Sequence, residues 1–136
     1  MSSNGTSIED DVLLEFKKLK TRKTNYQLCR LSDDLSEIIV DKSGKVDTYD
    51  EFVDLLPESE PRYALHDYEY EQSDGRKSSK IVLFSWLPES STIKHKMVFA
   101  SSKSSLRQTL DGVHLEIQAT DYSDLDRAEV DARVMR

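Results

Sequence analysis

The segment "KIVLFSWL", Lys80 to Leu87, is apolar at six of its eight positions. It shows no helical period and is rich in β-branched and aromatic residues, so it reads as a strand covered on both faces. Such a strand needs a sheet with a packed layer on each side. A chain of 136 residues has room for one domain of that kind and buries about two-thirds of its unfolded surface on folding.

The neighbouring segments supply the layers. Ile8, Val12, Phe16 and Leu19 recur at helical spacing, with Ser7 as the expected N-cap. Acids at Glu9, Asp10 and Asp11 and bases at Lys17, Lys18 and Lys20 match the dipole of that helix. "YQLCRL" and "EIIVDK" predict a hairpin across the polar "SDDLS", closed off by "KSGK". "DTYDEFVDLLP" predicts a short helix capped by Asp47 or Thr48, with Phe52, Leu55 and Leu56 on one face and Pro57 as the stop. "RYALHDYEYE" alternates as a strand with one wet face, and "GVHLEIQ" alternates at Val113, Leu115 and Ile117. A last helix is expected from Ser123 onward, with Leu125, Ala128 and Ala132 at helical spacing.

The resulting order is α-β-β-α-β-β-α-β-α. It implies an α/β (α+β) fold, a central mixed sheet flanked by helices on both faces, with "KIVLFSWL" as the central strand. Because a helix separates that strand from the next, at least one pairing should be parallel. Residues 1–6 are expected to be a flexible arm and 7–136 the domain.

Several function classes are disfavoured. No window approaches the roughly 18 apolar residues of a membrane span, and the polar, then acidic "MSSNGTSIEDD" is unlike a signal peptide. A net charge of −7 argues against a nucleic-acid partner, which needs clustered cations. The lone Cys29 suits a reducing cytosolic or nuclear setting and reads as a small core residue. His66, His95 and His114 are far apart and form no metal-ligand spacing, so neither a metal, a cofactor nor a catalytic group is expected.

Against the acidic background, "KHKMVFASSKSSLRQTLDGV", Lys94 to Val113, is basic. On a helix advancing about 100° per residue, Lys103 and Arg107 fall within about 20° of Lys96. Phe99, Leu106 and Leu110 gather on an adjacent arc with Val98, Ser102 and Thr109. The cation stripe thus borders the core face, and Met97 beside it adds an adaptable apolar group, a composition suited to an interface.

This segment resembles the long helix of the actin-depolymerising factor/cofilin family, which reads close to K/R-S-K-M-x-Y-A-S-S-K-D-x-L-R/K-R. "LPESEPRYALHDYEYE", "SSKIVLFSWLPESS" and "EIQATDYSDL" resemble three further family blocks, in family order, and "DGVHLEIQATD" is closest in flavour to plant-type members. The resemblance implies a single actin-depolymerising-factor-homology domain that is not an enzyme. It would bind actin monomers and filament sides, sever and depolymerise filaments, and act as a monomer in the cytoplasm and actin cytoskeleton. The nucleus is a second expected location, with "KKLKTRK" (Lys17 to Lys23) as an import patch or simply a solvated helix end. The same-fold alternative is a non-severing module, either a coactosin-like filament binder or a glia-maturation-factor-like regulator of actin branching.

Carried over residue by residue, the resemblance implies a monomer-binding surface of Asn4, Gly5, Lys94, Lys96, Met97, Lys103 and Arg107. It implies a filament-binding surface of Lys80, Arg133 and Arg136. Phosphoinositide headgroups would compete for Lys96, Lys103 and Arg107. The family's regulatory serine position holds Asn4 here, leaving Ser2 and Ser3 as phosphorylation candidates. Ser104 and Gln108 replace a usual aspartate and a second basic residue, which reduces the charge available to an acidic or phosphorylated partner.

Overall fold

The computed structural model describes residues 6–136. Its strands are β1 (Ser7–Ile8), β2 (Tyr26–Leu31), β3 (Glu37–Gly44), β4 (Arg62–Glu71), β5 (Lys77–Trp86) and β6 (Leu115–Ala119). Its helices are α1 (Asp10–Lys20), α2 (Tyr49–Asp54), α3 (Ile93–Thr109) and α4 (Arg127–Val134), with a turn of 3-10 helix at Tyr122–Leu125. The strands form one mixed sheet in the order β1-β3-β2-β4-β5-β6. Both edge pairings, β1 with β3 and β5 with β6, are parallel, and the inner ones are antiparallel. The β5–β6 connection passes through α3, as a parallel crossover requires.

Period-two alternation sorts the apolar side chains into two cores. Tyr68, Val82, Phe84 and Trp86 meet Phe52, Leu56, Val130 and Val134 on the side of α2 and α4. Tyr63, Leu65 and Leu83 meet Val12, Phe16, Phe99, Leu106 and Leu110 on the side of α1 and α3. The apolar run of β5 is therefore covered on both faces, as its sequence predicts. It is an interior strand but not the middle one, because only β6 lies beyond it while β2 and β4 occupy the centre. The same position explains β4: Arg62 to His66 are buried, and Glu69 and Glu71 face water only where the strand outruns its cover.

Polar anchors set the layers on the sheet. The Tyr63 hydroxyl donates to the carbonyl of Phe99 in α3 at 2.6 Å, and the two rings stack with centroids 3.9 Å apart. On the other face the Tyr49 hydroxyl donates to Leu125 O at 2.7 Å, and the Trp86 indole N–H donates to Pro57 O at 2.7 Å. Thr48 caps α2, its hydroxyl accepting from Glu51 N at 3.1 Å.

Two local expectations are corrected. Ser7 does not cap α1; it pairs with Glu37 in β1, and Glu9 holds the cap position without a side-chain hydrogen bond. A strand partner for the Ser7 backbone outweighs a cap hydroxyl. The last helix does not run on from Ser123, because Asp126 is extended (φ −55°, ψ 134°) between the 3-10 turn and α4. That break resets the helical phase, so Val130 and Val134 are buried and Ala128 and Ala132 are exposed.

Candidate functional site: a basic helix face and its neighbours

Helix α3 begins where the Thr92 hydroxyl accepts from His95 N at 3.1 Å. It has no acid in its first turn. Phe99, Ser102, Leu106 and Leu110 are buried, the fully buried Ser102 letting the helix approach the sheet. This is the inner arc the sequence predicts. Locked there by the Tyr63 bond, the helix turns Lys94 outward and leaves Lys96, Lys103 and Arg107 half-buried along its border.

Met97 is 67% exposed, as expected of an anchor. Ile93, four residues earlier, is 78% exposed. Residues spaced by four stack on one helix face, so the two form an apolar patch beside Lys94 and Lys96. The sequence reading missed Ile93; the signal was its spacing from Met97.

The cations of α3 are not equivalent. Among the described residues Lys94 and Lys96 make no ion pair. Lys103 Nζ lies 2.9 Å from Glu116 Oε2, and an Arg107 guanidinium nitrogen lies 3.4 Å from Glu116 Oε1. Glu116 belongs to β6 and was not singled out by the sequence. Its role follows from the parallel crossover, which returns the chain beside the helix it has just left.

The second set of cations gathers at the end of α4. Lys80 Nζ donates to Val134 O at 3.0 Å and sits 5.3 Å from the Tyr70 ring centre, a cation placed at a helix C-terminus. Arg133 donates to the backbone carbonyl of Glu116 at 3.2 Å, and Arg136 is exposed. Lys80 thus engages the last turn of α4, and Arg133 reaches from that turn to β6. The α3 and α4 sets meet at Glu116, one on its carboxylate and one on its carbonyl. Ser2, Ser3, Asn4 and Gly5 lie outside the described residues; Thr6, the first described, is buried.

The remaining titratable candidates sit in the cores. Burial pushes the Cys29 thiol up to about 12, which keeps it protonated. His66 stacks on Phe52 with ring centres 4.5 Å apart, and its Nδ1 lies 2.8 Å from Asn25 O. Desolvation drives the imidazole down to about 4, so it is neutral near pH 7. Since the carbonyl can only accept, Nδ1 carries the proton. The "KKLKTRK" cluster is partly structural: Lys18 pairs with Glu15 at 2.9 Å, Lys20 lies over Phe16, and Arg22 donates to Ser79.

Residues 5–135 match the family model described as cofilin/tropomyosin-type actin-binding protein. The cofilin of Yarrowia lipolytica is 42% identical over 138 residues, covering all of this chain and 90% of that protein. Actin-depolymerizing factor 11 of Oryza sativa is 39% identical over 127 residues, covering 92% of this chain and 88% of that one. The crystal structure of Streptomyces griseoflavus cofilin superposes with a TM-score of 0.86 at 38% identity, covering 93% of this chain and 94% of that one.

Proposed function

This chain belongs to the cofilin/actin-depolymerising factor family, and from that premise we propose that it binds actin monomers and filament sides and promotes filament severing and depolymerisation. The observation that carries the reading is the match of a family of actin-binding proteins across residues 5–135. Full-length identity near 40% to proteins named cofilin favours this activity over the non-severing alternatives. The action would be non-covalent and performed by a monomer associated with the cytoplasmic actin cytoskeleton. The exposed Lys17, Lys18, Lys20 and Lys23 support entry into the nucleus as well.

Monomer binding is assigned to Gly5 and Asn4 of the arm together with Lys94, Lys96, Met97, Lys103 and Arg107. The exposed Ile93 extends this surface. Apolar anchors bordered by cations suit a partner with an apolar cleft and an acidic rim. Filament-side binding is assigned to Lys80, Arg133 and Arg136. Phosphoinositide headgroups, being clustered anions, would compete for Lys96, Lys103 and Arg107.

The test uses purified actin as monomer and as filament. Reversing Lys103 would set a second carboxylate beside Glu116, so Lys94→Glu with Lys96→Glu is the cleaner variant. Lys94 is exposed and Lys96 half-buried, and neither makes an ion pair among the described residues, so the variant should lose little stability, within about 0.5 kcal/mol. It should lose at least about tenfold in monomer affinity and also bind phosphoinositide vesicles less well. Lys80→Ala with Arg133→Ala should retain monomer binding and lose filament co-sedimentation and severing. Unchanged monomer affinity in the first variant would reject the α3 assignment. Wild-type binding to filaments without severing would support the non-severing alternative.

A further inference from the structure

Glu116 is the one carboxylate that faces the α3 cations among the described residues' ion pairs. Its side chain is 19% exposed, its Oε2 takes Lys103 at 2.9 Å with the Ser85 hydroxyl at 3.5 Å, and its Oε1 takes Arg107 at 3.4 Å. Its backbone carbonyl takes Arg133 at 3.2 Å. β6 holds it in register, Glu116 opposite Leu83 in the parallel pairing with β5. One residue on a rigid strand therefore engages cations from both proposed binding surfaces.

Resting on the actin reading above, we propose that Glu116 is a specificity-determining positioning residue that attenuates and orients the basic face of α3. In the free protein its charge cancels one of the two it contacts, and it holds both long side chains against the helix border. An acidic partner must compete with Glu116 for Lys103 and Arg107, and it meets the carboxylate itself as a like charge. Anions that cannot displace it gain only Lys94 and Lys96, which lack ion-pair partners among the described residues. The arrangement thus lowers indiscriminate attraction to polyanions and favours a partner that also fills the apolar contacts at Ile93 and Met97, where specificity is a difference between affinities.

The deciding experiment measures actin-monomer affinity against salt for the wild type, Glu116→Gln, Glu116→Asp and Lys103→Gln/Arg107→Gln, the last with and without Glu116→Gln. Glu116→Gln keeps the shape and the backbone bond to Arg133. It should tighten binding about three- to tenfold at low salt, since each partly exposed pair contributes modestly. The gain should shrink above about 0.3 M salt. Glu116→Asp should behave like the wild type, and when both cations are already removed the gain should shrink to the part owed to like-charge repulsion by the carboxylate itself. A merely structural role would leave the salt dependence unchanged, and thermal melts identify any variant that fails to fold. Wild-type binding with no gain, or a loss, in folded Glu116→Gln overturns the proposal alone. No binding by the wild type overturns the actin reading and this inference with it.

Discussion

His66 shows how a single buried side chain makes the fold pH-sensitive. Its ring is enclosed by Tyr49, Phe52 and Tyr68, with Asp67 and the Arg127 guanidinium as the charges it feels. Desolvation lowers its folded pKa to about 4, whereas the unfolded group titrates near 6.5. Between those values the unfolded chain binds the extra proton. Stability is therefore full above about pH 6.5 and falls by up to about 3 kcal/mol as pH drops to about 4. Urea unfolding across that window should show the slope in the wild type. His66→Asn, which keeps a donor for Asn25 O, should be less stable at neutral pH but visibly flatter. Equal slopes in the two proteins would mean that other groups carry the dependence. Glu15, held below the usual carboxylate range by the Ser43 hydroxyl and Lys18, acts with the same sign at lower pH, its stabilisation being lost as acidification protonates it.

At the scale of an element, the contact between Tyr63 and Phe99 helps to place the outer face of α3. The Tyr63 hydroxyl bond to Phe99 O and the stacking of the two rings fix both the height and the rotation of the helix on the sheet. Tyr63→Phe removes a buried hydrogen bond while leaving the ring, and should cost about 1 kcal/mol. Phe99→Ala opens a cavity in the core between α3 and the sheet, and should cost about 3–5 kcal/mol. Denaturant titrations measure both. If the contact also orients the stripe, Tyr63→Phe should weaken actin binding while the protein remains folded. Unchanged affinity would show that the apolar packing of Leu106 and Leu110 suffices to orient the helix. Phe99 was legible as an inner-arc position and Tyr63 only as part of an alternating strand, and their pairing was not legible, since they lie 36 residues apart.

For the whole molecule, the remaining issue is control through the N-terminus. Thr6 is buried, and Ser7–Ile8 pair with β3 at the sheet edge. The family resemblance implies that Asn4 stands at the regulatory serine position, and its amide side chain has no hydroxyl to phosphorylate. Phosphate adds about −1.5 to −2 charge and disrupts docking on an acidic partner by repulsion. Shifted by one residue to Ser3, that charge should act weakly. Ser3→Glu is expected to change monomer affinity by less than about threefold, and a kinase that modifies family members should leave little phosphate on Ser2 or Ser3. Efficient phosphorylation of Ser3 with loss of actin binding would show that control survived the shift.

The layered fold, both hairpin strands, the two-faced cover of β5, the inner arc of α3 and the family were all legible in the sequence. They rest on local periodicity and collinear motifs, and a chain carries that information residue by residue. What the sequence left undecided was pairing between distant segments. Ser7 was read as a cap because its strand partner, Glu37, lies 30 positions away in the chain and the local pattern gives no sign of it. α4 was phased from Ser123 because an extended Asp126 leaves no compositional mark. The stripe of Lys96, Lys103 and Arg107 reads as three equivalent cations in the sequence because Glu116 reaches Lys103 and Arg107 only after the crossover has folded. Local spacing determines which face a side chain occupies; only the tertiary structure decides which opposite charge waits there.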